Sequence, residues 1–562
     1  MDELENENLP PSSPMIPKLL LGLLLVTAFA LRAWQLQHIS VEHFDEGVYA
    51  SNFYASHLDF RYPDQHLYAP PLFPAILEWV LILTGNPHAV VWVNIVLGTA
   101  LVAAIWWLTK LIAGKEAALA AAAVATFNDF LIQYSRAVLT DTPVCLFMVL
   151  AVACGSIAFR DRHSIAAIGA ALFTAAAWWT KYNGWLPLAI LGAGLAGWIV
   201  FDRPKRSEWQ PRIGTLLFIA CGAFLLWSPF LWSLQEFGGY SAVAKNHAGY
   251  VVGFSGWWDS ASRQLENQHF YSTLTMFGVL VAGCLIQFVR QPQISQWNRK
   301  FWFLIFLLIL ICTIEKPFIL LLLIAIDGLR KNKEIERHGF WILAAWLIGL
   351  LVFTPTYRPY PRLMMPFMIS IFIATGLGLA AHLKFTLDQS EVQSGVRLIR
   401  RFGLLGLCLF FTFKSGVGES TYQNRSQFKD ISTAIVYEMQ SSAGTTKQLG
   451  DLNAIVYVIG EPGLYYHLAS QSSLRFEFIA QPGSNLAMLM PKLNEPELPT
   501  FLVLGPHALE EMQELKKQSE LAKLIEEFSY QPSDLVLLDD FPPKHLEENR
   551  QQTVELWKLT RP

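Results

Sequence analysis

The chain has 562 residues, of which 53% are hydrophobic and only 15% are charged. That composition is too apolar for the surface of an ordinary soluble protein and indicates a multi-pass membrane protein. The net charge of −3, with no basic run interleaved with aromatic residues, excludes nucleic acid as the expected partner.

The N-terminus and the cysteines carry no signal for export or for a disulfide framework. The acidic start, Met1–Glu7, lacks the basic region of a secretory signal, so the first apolar run is predicted to be a retained helix. The cysteines lie in apolar runs and are predicted to be buried thiols, neither disulfides nor zinc ligands. They are Cys145, Cys154, Cys221, Cys284, Cys312 and Cys408.

Apolar runs predict thirteen membrane-spanning helices, because a helix needs roughly 20 apolar residues to cross a bilayer core of about 30 Å. The predicted spans lie near 17–36, 88–108, 116–134, 142–159, 164–180, 183–201, 213–233, 271–290, 301–314, 317–329, 339–355, 362–382 and 402–414. Spans 301–314 and 317–329 are short. Without span 402–414 the C-terminal region would be cytoplasmic.

Basic residues concentrate in alternate connections between these spans, as expected for cytoplasmic loops. Examples are Lys110 and Lys115, Arg160 and Arg162, and the group from Arg203 to Arg212. The pattern predicts a cytoplasmic tail over 1–16, a transmembrane domain over 17–414 and an extracytoplasmic domain over 415–562. The loops 37–87 and 234–270 then lie outside, and the second of them is a candidate lid over a lipid-linked substrate.

The first outer loop is predicted to hold two juxtamembrane helices. Asp45 is expected to cap a helix whose apolar stripe, Val48, Tyr49, Phe53 and Tyr54, lies in the membrane interface. After Pro70-Pro71, the apolar segment Leu72 to Leu83 is too short to span a bilayer.

The polar C-terminal region predicts a small α/β domain. Its strand-like runs cover 454–459, 476–479, 500–504 and 534–538, and 507–527 is helix-like. Gly460–Gly463 follows the first strand as a turn signal and lacks the pattern of a phosphate-binding loop.

Uncommon charges gather on the predicted outer side of the membrane. Because a charge at membrane depth costs roughly 2.5–3.5 kcal/mol, each of these residues is expected to have a structural or functional role. Asp45 and Glu46 are adjacent, so on a helix they diverge by about 100° and one of them faces a given reacting atom. Asp45 is favoured as a base that deprotonates an acceptor hydroxyl. The alternative is a helix cap beside a solvated Glu46.

The other outer charges each have a functional and a structural interpretation. Asp141 is either a second acid facing Asp45 or the partner of Arg136 in a surface ion pair. Arg358 and Arg362 either bind a phosphate or extend to the interface from span ends. Lys181 lies between two spans joined by almost no loop, and its structural interpretation is a lysine that extends to the interface among tryptophans. His43, His66 and His247 could ligate a metal, but hydrogen-bonded or solvated histidine is favoured.

Five motifs together resemble the protein O-mannosyltransferase and aminoarabinose (lipid A) transferase group of the glycosyltransferase C superfamily. The motifs are Asp45-Glu46, Pro70-Pro71-Leu72, Ser135-Arg136 to Pro143, Thr180-Lys181-Tyr182 and Pro361-Arg362-Leu363 with Pro366. They cover mostly residues 40 to 370. The spans and the C-terminal domain look most like the bacterial aminoarabinose transferase architecture.

The resemblance implies an inverting transfer of a sugar from a polyprenyl-phosphate carrier to a lipid, glycan or protein acceptor at the plasma (bacterial inner) membrane. It also implies Asp45 as the catalytic acid or base, with Glu46 and Asp141 as further acids, and Lys181, Arg358 and Arg362 as donor-phosphate ligands. Arg136 and Tyr68 are further candidates, Tyr68 because many relatives carry histidine before the double proline. No metal ligand is assigned, and a divalent-cation requirement is left open.

Two other classes of function remain as alternatives. A lipid or solute transporter, or a flippase, would carry charges near span centres and two similar halves, whereas here the charges gather at one face. A receptor or scaffold would depend on residues 420–562.

Overall fold

Apolar helices dominate the part of the chain that the structure, a computed structural model, describes. That part comprises residues 15–51, 69–271, 273–290, 318–331, 337–384, 421–442, 454–471, 475–479, 499–517 and 522–559. Within it, five helical stretches are long and apolar enough to cross a membrane: Pro87–Thr126, Asp141–Asp161, Arg206–Phe237, His338–Thr356 and Pro361–Ala381. Shorter apolar helices cover Leu72–Thr84, Ser164–Thr180, Leu186–Asp202 and Phe277–Ile286.

The α-helices before residue 385 form the membrane region. In chain order they are α1 (Met15–Ala33), α2 (Phe44–Ala50), α3 (Leu72–Thr84), α4 (Val90–Thr126), α5 (Asp129–Ser135), α6 (Asp141–Asp161), α7 (Ser164–Thr180), α8 (Leu186–Gly197), α9 (Arg206–Ser233), α10 (Gly239–Ala248), α11 (Trp257–Phe270), α12 (Thr273–Arg290), α13 (Phe318–Lys331), α14 (Arg337–Phe353) and α15 (Met365–Lys384).

Helix α4 is the centre of this region and packs against α1, α6, α12 and α15. It continues across the connection predicted between 108 and 116, where Gly114 breaks the helical path with φ of 82°. That conformation suits glycine because it has no Cβ. Beyond the break, Ala117–Ala125 is entirely buried, and these small side chains let α15 approach closely.

Several predictions from the sequence can be compared with the described helices. The predicted spans 142–159 and 164–180 coincide with α6 and α7. Spans 301–314 and 402–414 lie outside the described residues, as do Tyr68 and His66, so the total of thirteen stays a prediction. Cys145 and Cys154 are buried free thiols, but Cys221 is exposed, so the expectation of burial is wrong there. Cys221 lies on α9, whose outward face is apolar.

The C-terminal part is a mixed sheet with helices on both faces. Its elements are α16 (Gln427–Ser442), β1 (Ile455–Ile459), α17 (Pro462–Gln471), β2 (Arg475–Ile479), β3 (Thr500–Leu504), α18 (Leu509–Lys517), β4 (Ala522–Tyr530), α19 (Asp534–Asp540) and β5 (Gln552–Leu559). The described strands have the order β2-β1-β3-β5-β4, with β1 parallel to β2 and β3, and β5 antiparallel to β3 and β4. Helices α16 and α17 cover one face and α18 covers the other.

Two secondary-structure predictions in this part are wrong. The helix expected over 507–527 ends at Lys517, and 522–530 is strand β4, whose exposed Lys and Glu side chains suit a charged outer strand. The strand expected over 534–538 is helix α19, in which Leu535, Leu537 and Leu538 are buried. Periodicity cannot separate a strand from a buried helix in so short an apolar run.

Candidate active site at the first loop

Helix α2 begins in the first loop and is capped by His43. The His43 Nδ1 accepts a hydrogen bond from the Asp45 backbone N–H at 3.1 Å, and the Glu46 carboxylate accepts one from the His43 backbone N–H at 2.8 Å. This is a capping box. The expectation that Asp45 caps the helix is therefore wrong. Val48 and Tyr49 are buried inside the protein, so the expected interfacial stripe is also wrong for these residues.

Glu46 lies in a buried network that ties α2 to the C-terminal part. Its carboxylate accepts hydrogen bonds from Arg425 at 2.6 Å, from the Val138 backbone N–H at 2.6 Å, and from the backbone N–H groups of Glu42 and His43. Burial raises the pKa of Glu46, but Arg425 and the backbone donors outweigh it and hold that pKa below its usual range. These contacts favour a structural role for Glu46.

Gly47 brings α2 into direct contact with α17. A Cβ at Gly47 would lie 2.2 Å from the Gly463 backbone nitrogen and 2.7 Å from the Pro462 carbonyl oxygen. Gly47→Ala is therefore expected to lower the free energy of unfolding by about 1–3 kcal/mol, because two backbones must separate. Thermal unfolding in detergent checks this, with Gly22→Ala as control, since nothing lies within 4 Å of a Cβ there. Equal unfolding temperatures for Gly47→Ala and wild type would contradict it.

Asp45 faces a charge cluster assembled from three distant parts of the chain. Its Oδ2 accepts a hydrogen bond from Nη1 of Arg362 at 2.5 Å. Nη2 of Arg362 lies 3.3 Å from Oδ2 of Asp539, and Nε2 of His43 lies 2.8 Å from the same oxygen. We call these four side chains the central cluster. Asp45 is its most accessible member, with 23% of its side chain exposed.

The central cluster keeps the Asp45 carboxylate ionised. Burial raises the pKa of Asp45, but Arg362, His43 and Lys181 outweigh burial and hold that pKa below its usual range. Asp45 therefore offers an unprotonated oxygen at neutral pH. The ion pair with Arg362 also makes it a weaker base than a free carboxylate.

Arg362 and Arg358 occupy different environments although they are four residues apart. Arg362 lies in the 3₁₀ helix Pro361–Met364, and Arg358 lies before it in an irregular segment, so the two do not share a helix face. Arg358 is exposed, and its backbone N–H donates to the Tyr250 carbonyl at 2.8 Å. The structure brings Arg362 to Asp45 and leaves Arg358 at the surface.

The loop predicted as a lid is joined to the segment that carries Arg358. The Val252 and Gly253 backbone N–H groups both donate to the Thr356 carbonyl, at 2.9 and 3.0 Å. The Ser260 hydroxyl donates to the Tyr357 carbonyl at 2.6 Å. Movement of this loop would therefore move the Arg358 segment with it, and the lid role stays a prediction.

Asp141 pairs with Lys181 and not with Arg136. Lys181 Nζ lies 2.6 Å from Asp141 Oδ1, and Asp141 Oδ2 is buried with no hydrogen-bond partner among the described residues. Arg136 donates to the carbonyls of Arg32 and Trp34 and lies 4.7 Å from the Tyr422 ring centroid. The suggested Arg136–Asp141 surface pair is therefore wrong, and Arg136 joins elements of the fold.

Glu461 and His507 form a pH-sensitive pair beside α2. Glu461 Oε1 lies 2.6 Å from His507 Nδ1, and the His507 ring packs on Phe44 with centroids 5.3 Å apart. Glu461 raises the pKa of His507 to about 9, above about 6.5 for an unperturbed histidine. The pair therefore stabilises the fold fully below about pH 6.5, and this contribution is lost as the pH rises through about 9.

The unfolding temperature of the wild type is accordingly expected to fall between pH 7 and pH 10, and that of Glu461→Gln to fall less. Thermal unfolding followed by tryptophan fluorescence over this pH range checks the difference. Parallel curves for the two proteins would contradict the assignment of the pH dependence to this pair.

The described histidines do not form a metal site. No group of three His, Cys, Asp or Glu side chains within the described ranges is arranged to hold a metal ion. His43 is hydrogen-bonded in the central cluster, and His247 Nδ1 lies 2.8 Å from the Val243 carbonyl. The question of a divalent cation stays open.

Comparison with known proteins identifies the fold that carries this site. Residues 68–232 match the family model of dolichyl-phosphate-mannose-protein mannosyltransferase. ArnT from Cupriavidus metallidurans, solved with bound undecaprenyl phosphate, is 14% identical over 96% of this chain and 97% of its own, with a TM-score of 0.55. The chain has the glycosyltransferase C fold. The resemblance drawn from the five motifs is thereby confirmed.

A second solved structure has a similar fold. The oligosaccharyltransferase of Archaeoglobus fulgidus, solved with Zn and sulfate, is 13% identical over 91% of this chain and 72% of its own, with a TM-score of 0.51. No curated protein sequence matches the chain. The family-model match includes Asp141 and Lys181 but not Asp45 or Arg362.

The site of this glycosyltransferase C fold contains residues that the sequence reasoning missed. Asp539 directly follows the run 534–538, which was predicted as a strand and is part of a helix. His43 was expected to be a hydrogen-bonded or solvated histidine rather than a metal ligand, and it is hydrogen-bonded, but its contact with Asp539 was not predicted. Arg425, which pairs with Glu46, was not singled out. Arg425 lies among other charges such as Glu419, Lys429 and Asp430, so no local pattern pointed to it or to Asp539.

Proposed function

We propose that the chain is an inverting membrane glycosyltransferase that moves a sugar from a polyprenyl-phosphate carrier to an acceptor on the extracytoplasmic face. The observation that carries the proposal is the contact between Asp45 and Arg362 within a glycosyltransferase C fold. It places a carboxylate that can take a proton beside a cation that can hold a phosphate.

The reaction is a single displacement. The acceptor oxygen attacks the anomeric carbon while the bond between that carbon and the carrier phosphate oxygen breaks, and the electron pair leaves with the phosphate. The acceptor proton passes to the Asp45 carboxylate. Arg362, with Lys181 nearby, stabilises the charge that develops on the leaving phosphate, which is electrostatic stabilisation of the transition state.

Arg362 couples donor binding to the activation of Asp45. In the structure Nη1 of Arg362 donates a hydrogen bond to the Asp45 carboxylate. A donor phosphate competes for that N–H group, and an arginine fork is well suited to binding phosphate in this way. When Nη1 turns to the phosphate, Asp45 loses the hydrogen bond from Arg362 and gains a phosphate anion nearby, so it becomes a stronger base. The base is thus strengthened once the donor is in place.

Asp141 and Lys181 form a second acidic and basic pair in the proposed site. The Lys181 side chain is 20% exposed, whereas the Asp141 side chain is 4% exposed. Lys181 is therefore the member that a bound donor reaches, and Asp141 holds it in place. Arg358, exposed at the surface, serves as an outer cation for the incoming headgroup.

The length and ends of α6 support an extracytoplasmic site. The helix has 21 residues, which corresponds to about 31 Å along its axis. Asp141 begins it beside Lys181, and the exposed Arg160–Asp161 pair ends it. Since basic connections favour the cytoplasmic face, the Asp141 end belongs on the opposite face. We therefore propose an acceptor on the outer face, and we propose the plasma (bacterial inner) membrane as the location of the enzyme.

The test uses membranes with and without the wild-type chain and a panel of labelled polyprenyl-phosphate sugars. Label should enter a lipid, glycan or protein fraction only when the chain is present, and the labelled fraction identifies the acceptor class. A transporter or flippase would instead move intact donor across the membrane. Such movement without any labelled product would contradict the proposed function.

A further inference from the structure

Helix α19 belongs to the C-terminal part by sequence but to the membrane region by packing. Its buried side chains, Leu535, Leu537 and Leu538, lie in the same hydrophobic core as Val48 and Tyr49 of α2. They do not join the two cores that cover the faces of the β-sheet. The helix therefore carries the residues at its end into the neighbourhood of the first loop.

The start of α19 is fixed by hydrogen bonds on both sides. The Ser533 hydroxyl donates to Glu42 Oε2 at 2.9 Å. The Asp534 backbone N–H donates to Gln423 Oε1 at 2.7 Å, and the Gln423 amide donates back to the Asp534 carboxylate at 2.9 Å. Arg550 adds an ion pair to Asp534 at 2.9 Å. These contacts hold the helix in one orientation, so Asp539, five residues on, has a defined position.

Asp539 connects two members of the central cluster through one oxygen. Its Oδ2 lies 2.8 Å from His43 Nε2 and 3.3 Å from Arg362 Nη2, and its side chain is 10% exposed. The Asp45 N–H donates to His43 Nδ1, so in neutral His43 the ring proton is on Nε2 and is donated to Asp539. Asp539 thus fixes the tautomer and orientation of the residue that caps α2.

The contact with Arg362 has a separate consequence. Nη1 of the guanidinium is directed to Asp45 and Nη2 to Asp539. If Nη1 turns to a donor phosphate, Asp539 still holds Nη2 and keeps the guanidinium next to Asp45. Without Asp539, Arg362 has Asp45 as its one carboxylate partner in the central cluster and pairs with it more strongly.

We propose that Asp539 is a positioning residue of the transferase site, supplied by the C-terminal part, which acts on Asp45 through His43 and Arg362. The inference rests on the proposed function and deepens it. It gives the C-terminal part a role in the chemical step rather than that of a cover. Asp539 does not itself contact donor or acceptor.

Asp539→Asn is the direct test, measured as sugar transfer per folded protein in nanodiscs. We expect kcat to fall by on the order of 10- to 100-fold, as for a misplaced catalytic group, while the donor KM changes less than about threefold, because Asp539 is not a donor ligand. The acid limb of the pH profile should move to lower pH. The Asp539 carboxylate is gone, and Arg362 and Lys181 still lower the pKa of Asp45.

Asp540→Asn is the matched control, because it removes the same charge from the next residue, which acts on Asp539 and His43 only through space and forms no ion pair with the central cluster among the described residues. His43→Gln breaks the same contact from the other side and should reduce kcat with an unchanged donor KM. The double variant Asp539→Asn/His43→Gln should be no slower than the slower single variant. If Asp539→Asn does not fold, two other variants test the proposal. His43→Gln should still reduce kcat with an unchanged donor KM. Asp539→Glu keeps the carboxylate, so it should keep the acid limb of the wild type.

The outcomes separate this inference from the proposed function. Wild-type transfer with an unchanged rate and pH profile in Asp539→Asn would overturn the inference and leave the function standing. Equal losses in Asp539→Asn and Asp540→Asn would also overturn it, since local charge and not the contact would then matter. A wild-type chain that transfers no sugar from any donor would contradict the proposed function and the inference with it.

Discussion

Sugar transfer by Asp45→Asn is expected to fall by about 10²–10⁴-fold relative to wild type, the range typical of a lost general base. Asparagine keeps the size of the side chain but cannot take the acceptor proton. It also keeps an oxygen that can accept the hydrogen bond from Arg362. The donor should therefore still bind, and the loss should appear in kcat.

The measurement is initial rate against donor concentration for folded protein in nanodiscs, with binding of the polyprenyl-phosphate carrier as a separate readout. Asp161→Asn is the control, since Asp161 lies at the other end of α6 in an exposed pair with Arg160; it should stay within about twofold of wild type, as expected for an exposed ion pair. Transfer by Asp45→Asn at the wild-type rate would remove Asp45 as the base.

Arg362→Gln is expected to lower kcat/KM by about 10²–10³-fold, as when one donor that stabilises transition-state charge is removed. It should also move the acid limb of the pH profile to higher pH. Arg362 is the strongest of the groups that lower the pKa of Asp45, and burial acts in the opposite direction. Without the guanidinium, burial raises that pKa, so Asp45 is protonated at higher pH.

The pH dependence of kcat/KM checks this prediction, with Arg160→Gln as a charge-matched control at the far end of α6. Arg362→Lys should recover part of the rate but not all of it, because an ammonium lacks the planar fork that serves Asp45 and Asp539 together. An acid limb that stays in place or moves to lower pH in Arg362→Gln would contradict the assigned contact.

The membrane region was largely predictable because its signals are local. Runs of apolar residues and flanking charges set α6 and α7 almost to the residue. Asp45 and Arg362, separated by 317 positions, were both singled out, as charges on the predicted outer side that needed a reason. Their direct contact was not predictable from the sequence, because nothing local records which of several distant cations meets which acid.

The C-terminal part was predicted less well for a physical reason. Strands β1 and β3 are buried β-branched and aromatic runs and were recognised, whereas β4 is rich in Lys and Glu, which favour helices in isolation. In β4 the pairing with β5 overrides that preference. Local sequence preference likewise failed to predict helix α19 and therefore the position of Asp539. That position depends on the packing of α19 against the first loop.

The burial of Glu46 shows how adjacent acids acquire different roles. A helix directs Asp45 and Glu46 away from each other. One carboxylate meets Arg362 at an accessible cluster, and the other is enclosed with Arg425 and backbone donors. The sequence predicted that the two would diverge, and the packing of the C-terminal part against α2 determines which is enclosed.

The most direct test of the central claim is the stoichiometry of one reaction. Purified wild-type chain in nanodiscs would receive a labelled polyprenyl-phosphate sugar and the acceptor fraction identified in membranes. The account predicts that free polyprenyl phosphate and labelled acceptor appear in equal amounts, with inverted configuration at the anomeric carbon, and that neither appears with Asp45→Asn. Intact donor at the end of the reaction, or retained configuration in the product, would contradict it.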